Sequence, residues 1–116
     1  MSEFVLLYRS PEAIDDDMTQ TEEGRERLAR WRRWMDGVKA SGHLKDVGLP
    51  LKRAGKVVRS RRQVVDGPFM ETKEVTVGFS VIEARDFAEA ETIASECPIL
   101  EGGGSVEIRP ILRFGT

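Results

Sequence analysis

The sequence predicts an α+β fold, an antiparallel sheet with two helices on one of its faces. Three observations predict it. Apolar residues recur with helical spacing in only two stretches, and with strand-like alternation in several others. The order along the chain is strand, helix, a group of three strands, helix, strand. Two helices cannot cover both faces of a four- or five-stranded sheet, so they cover one.

Each element has its own justification. Glu3 to Arg9 reads as a strand, with Phe4, Leu6 and Tyr8 on one side and Val5 and Leu7 on the other. Both sides are apolar, which predicts a central strand covered on both faces. Ser10 to Thr21 is polar, with Pro11 and three consecutive aspartates, and reads as a surface loop. Thr21 is placed as a helix N-cap, with Glu22 and Glu23 in the first turn where the helix dipole favours them. Leu28, Trp31, Trp34, Met35 and Val38 form one apolar stripe, and Gly42 ends the helix.

Leu44 to Leu51 is a weak strand containing Gly48 and Pro50. Lys56 to Val65 reads as one strand, with Arg62, Val64 and Asp66 sharing a face. Val75 to Ala84 is the strongest strand. Its alternation puts Val75, Val77, Phe79 and Val81 on one face and small residues on the other. Asp86 with Glu89 resembles a capping box, and Ala90, Ile93, Ala94 and Cys97 continue as a helical stripe. Gly102 to Gly104 reads as a flexible loop. Val106 to Phe114 is the last strand, with Pro110 marking an edge or a bulge.

The face without helices must meet something. Strands apolar on both faces point to a second copy of the same sheet, with a cavity enclosed between the two. The expectation is a ferredoxin-like protomer in a dimeric α+β barrel.

Composition narrows the function. The chain has 116 residues, 33% of them charged, and a net charge of −2, which fits one domain spanning 1–116. No overall field draws it to nucleic acid or to acidic membranes. The basic residues of the first helix and of the Lys52–Arg62 region read as a solvated face, because no aromatic is interleaved among the latter to stack bases. The apolar runs are too short to span a bilayer, and the N-terminus has no signal-peptide pattern. The single cysteine, Cys97, suits the reducing cytoplasm. One histidine and one cysteine do not make a metal set, and no organic cofactor is implied.

The segment VVDGPFMETKE, residues 64–74, is the candidate site. Asp66 reads either as a general base or ligand anchor at a cavity mouth, or as a turn residue bonding its own amides. Arg62 and Arg109 are candidate partners for an anion, since a guanidinium inside a barrel needs one. Tyr8 is a candidate at the cavity rim. Phe69, Glu71 and Lys73 are candidates on the loop, as plug and polar rim. His43 reads as a helix-end residue, with a role as general base as the alternative.

The run V-D-G-P-F-x-E-T-K-E, the strand GFSVIEARD, the helix AEAETIA and the ending Glu107-Ile108-Arg109-Pro110 resemble the DGPF subgroup of the YCII-related (YciI-like) proteins. The resemblance spans nearly the whole chain. It implies a dimeric α+β barrel whose relatives include monooxygenases, isomerases and lyases acting on small organic molecules. It also implies a link to extracytoplasmic-function sigma factors. Two functions stand. One is a small-molecule-binding protein or enzyme using the dimer cavity, with Asp66 at its rim. The other is a regulatory module that contacts a sigma-factor-related protein.

Overall fold

In the computed structural model, which describes residues 1–11, 18–67 and 75–114, six strands and two α-helices follow one another along the chain. They are β1 (Ser2–Ser10), α1 (Glu22–Ala40), β2 (Leu44–Pro50), β3 (Gly55–Ser60), β4 (Gln63–Gly67), β5 (Val75–Ala84), α2 (Phe87–Ala94) and β6 (Ser105–Pro110). Short 3-10 turns span Met18–Gln20 and Pro98–Gly102. The four-stranded sheet has the order β2-β5-β1-β6 and is antiparallel throughout. With α1 after β1 and α2 after β5, this is the ferredoxin-like arrangement the sequence predicts.

Both helices start at the predicted caps. The Thr21 hydroxyl accepts from the Gly24 amide at 2.9 Å, and the Asp86 carboxylate accepts from the Glu89 amide at 2.9 Å. Glu89 reaches back to the amide of Arg85, one residue before the cap, and also accepts from the Arg85 guanidinium. Gly42, at a φ of 83°, follows the C-terminal end of α1 in the left-handed conformation that glycine adopts without penalty.

The helices pack on the face of the sheet formed by Phe4, Leu6 and Tyr8 of β1 and by Ser80, Ile82 and Ala84 of β5, all buried. Met35 and Val38 of α1 and Ala90 and Ala94 of α2 are buried too, and Trp31, Trp34 and Ile93 are packed against this core. The Trp34 indole donates to the Ile93 carbonyl at 3.2 Å and ties the two helices together.

Three sequence expectations are corrected. The segment read as one strand from Lys56 to Val65 is a hairpin: β3 and β4 pair as a separate two-stranded sheet, with Val57 opposite Val65 and Val58 opposite Val64. Arg61 and Arg62 form its turn, so Arg62 and Asp66 do not share one continuous strand face. In β5, Gly78 faces Tyr8 and Thr76 faces Arg9, so Val77 is an extra residue in the ladder. This β-bulge shifts the alternation only at the start of the strand: Val75 and Val77 are buried rather than lying on the face of Phe79 and Val81, while Gly78, Ser80, Ile82 and Ala84 keep the predicted small-residue face toward the helices. Finally, β6 stops at Pro110, which has no amide to continue the ladder. Leu112 and Phe114 beyond it are exposed.

The tail past β6 is held by charge. Arg113 donates to the Glu3 carboxylate at 2.6 Å, and Lys45 lies 3.1 Å from its other oxygen. Arg113 and then Lys45 hold the Glu3 carboxyl below its ordinary value of 4.5, and Glu3 and then Glu83 raise Lys45 above 10.5. A depressed carboxyl adds stability above its unfolded value, lost as pH falls through the folded one. A raised lysine adds stability below its unfolded value, lost as pH rises. Denaturant titrations across pH are therefore expected to fall off below about 4.5 and above about 10.5, with Glu3→Gln flattening both limbs. Limbs unchanged by Glu3→Gln would show that this cluster is not their source.

Candidate functional site

Among the described residues, the sheet face opposite the helices carries no helix. The whole protein measures 46 × 44 × 20 Å, and the short dimension holds about one sheet and one helix layer. Val5 and Leu7 of β1 and Phe79 and Val81 of β5 lie half-buried on this face, with the exposed Leu49 of β2 opposite Phe79. β6 adds Glu107 opposite Leu7 and Arg109 opposite Val5.

A charged trio crosses the apolar surface. Arg9 Nη1 lies 3.3 Å from Glu107 Oε1, and Arg109 Nε lies 3.9 Å from Glu107 Oε2. One carboxylate is shared by two guanidiniums, which leaves one positive charge in excess. Arg9 Nε is buried with no hydrogen-bond partner among the described residues. An unused donor beside excess positive charge, on apolar ground, suits a carboxylate or another small oxyanion. Sequence reasoning singled out Arg109 but missed Arg9 and Glu107. The signal was available: Arg9 follows Leu7 by two residues and Glu107 precedes Arg109 by two, and in a strand that spacing means a shared face.

The other candidate residues are spread over the molecule. Tyr8 is on the helix side, buried beneath α1, with its ring edge-to-face against Trp31 at 4.7 Å and Trp34 at 6.1 Å. Burial pushes its phenol well above the usual range. The Ser80 hydroxyl, which would oppose that rise, donates to the Val47 carbonyl at 2.7 Å. The Tyr8 hydroxyl is left without a hydrogen-bond partner among the described residues. Asp66 is on β4, opposite Lys56 and ion-paired with it, and its side chain is 87% exposed. Arg62, in the hairpin turn, is exposed. Phe69, Glu71 and Lys73 lie outside the described residues. Within the chain, Arg109, Tyr8 and the Asp66–Arg62 hairpin thus occupy three separate places.

His43 Nδ1 lies 2.8 Å from the Glu83 carbonyl oxygen, to which a ring N–H donates, and 3.8 Å from Glu89. Cys97 is buried, and burial pushes its thiol up to about 12, far from a reactive thiolate at neutral pH. Among the described residues, no three His, Cys, Asp or Glu side chains are grouped to hold a metal ion, and no helix is long and apolar enough to cross a membrane.

Fold and face together define an α+β protein of ferredoxin-like topology whose sheet, among the described residues, has helices on one side only. The chain belongs to the YCII-related domain family, whose model matches residues 1–115. No curated protein matches it.

Proposed function

We propose that this protein binds a small organic anion between the open sheet faces of two copies, as a homodimer in the cytoplasm. The observation that carries the reading is the Arg9–Glu107–Arg109 trio set among Val5, Leu7, Phe79 and Val81. An uncovered apolar face calls for a cover, and the surplus guanidinium charge on it calls for an anion. Asp66 enters this reading as the acid/base or anchoring group supplied from the hairpin. Arg62 of the hairpin belongs to the rim in this reading.

Calorimetric titration with a panel of small aliphatic and aromatic carboxylates tests it. Wild type is expected to bind at least one of them, and Arg109→Ala and Arg9→Ala each to weaken that binding by about tenfold, the loss of one charge-assisted hydrogen bond. Unchanged affinity in both variants would contradict the reading.

A second reading has its own observation. On the hairpin Val58 and Val64 are exposed opposite each other, at 68% and 55%, and Asp66 is already engaged by Lys56. These favour a protein-contact role, as in a regulatory module working with a sigma-factor-related partner. In that case Val58→Asp would abolish partner binding and leave carboxylate binding intact.

A further inference from the structure

A cavity lies on the helix side of the sheet. Its volume is about 530 Å³, within the range of small-molecule sites. It runs between the N-terminal half of α1, the C-terminal end of β2 and the Pro98–Gly102 turn. Gly78 is part of its lining. It sits between Tyr8 and the Leu49–Pro50 backbone, where an added Cβ would stand 3.1 Å from the Leu49 carbonyl oxygen.

The lining combines flat aromatic surface with apolar side chains left in water. Trp31 and Tyr8, packed edge-to-face, supply the first. Val47 and Leu51 supply the second, at 56% and 44% exposure. The rim is charged and unbalanced. Arg27 pairs with Glu23 at 3.0 Å, and Arg30 lies 3.8 Å from Glu101 on the far side. Arg32, also on the lining, makes no ion pair among the described residues. Of the three guanidiniums on this rim, Arg32 is the one with no carboxylate beside it among the described residues.

We infer that this groove is a second ligand site, separate from the Arg9–Glu107–Arg109 trio, which takes a planar aromatic anion with its ring against Trp31 and its charge toward Arg32. The aromatic wall selects a flat apolar body. The Arg32 guanidinium selects a negative charge, and the exposed Val47 and Leu51 gain cover when the ligand is seated.

The test uses 2-naphthoate and its uncharged counterpart 2-naphthylmethanol as probes, read by the two tryptophan indole N–H signals in ¹⁵N-labelled protein. Naphthoate is expected to shift the Trp31 signal and to bind about tenfold tighter than the alcohol. Val47→Trp fills the groove from an exposed position and is expected to remove the shift. Arg32→Glu, on the exposed side of α1, leaves packing intact and is expected to erase naphthoate's advantage over the alcohol. Arg109→Ala, on the opposite face, is expected to change neither. No shift of Trp31, equal binding of acid and alcohol, or an unchanged affinity in Arg32→Glu would overturn the assignment. So would loss of binding in Arg109→Ala with retention in Val47→Trp, which would move the probe to the open face.

Discussion

Gly48→Val is expected to destabilise the protein by about 3 kcal/mol or more, seen as a lower urea midpoint with an unchanged slope. Two costs combine. Gly48 has a φ of 72°, which a β-branched residue adopts only under strain. Any Cβ there would also overlap the Phe79 carbonyl oxygen across the β2–β5 ladder, and Phe79 Cδ2 stands 3.1 Å away. That neighbour is backbone and cannot swing aside, so β2 must move off β5. The register already slips between Asp46 and Leu49, and Gly48 is the residue that lets it do so while its amide bonds to Asp46 Oδ1 at 2.8 Å. Gly37→Ala is the control. It lies inside α1 with nothing within 4 Å of an added Cβ, and it is expected to stabilise by about 0.5–1 kcal/mol through helix propensity. Equal effects from both substitutions would refute the steric account.

The second large effect is expected on the open face. Leu7→Arg should weaken self-association by about 100-fold or more, the cost of an uncompensated charge in an apolar interface. Leu7 lies at the centre of this face, flanked by Phe79 on β5 and Glu107 on β6. A third guanidinium beside Arg9 and Arg109 has only Glu107 to answer it. The protomer itself should tolerate the change, because Leu7 points away from the core formed by Phe4, Leu6 and Tyr8. Melting curves at low protein concentration are therefore expected to match wild type while association is lost. A variant unfolded at all concentrations would mean that Leu7 supports the protomer rather than an interface.

Much of this was legible in the sequence, for physical reasons that also mark where reading stopped. The helix stripes and their caps could be read because each needs only local chemistry: an oxygen at the N-cap, acids in the first turn, a glycine past the end. The order of elements then fixed a sheet with helices on one side. The β3–β4 hairpin was not legible. Its turn, Ser60-Arg61-Arg62-Gln63, has no glycine, proline, asparagine or aspartate to mark it, and apolar valines flank it without a break. The bulge at Val77 was hidden for another reason. Alternation in one strand cannot show how many residues its neighbour sets against it, and that count decided where Val75 and Val77 lie, while Gly78 to Ala84 followed the alternation. The Arg9–Glu107–Arg109 trio was half legible. The period of two put Arg109 and Glu107 on one face, but only the β1–β6 register brought Arg9 alongside.

The most direct test of the account is sedimentation equilibrium of the wild-type chain at micromolar concentration. The open apolar face predicts a species of twice the 13.0 kDa chain mass, reduced to one chain by Leu7→Arg. A wild-type protein that sediments as a single chain across the micromolar range would contradict it, and the anion-binding face would then have to work without a second copy to close it.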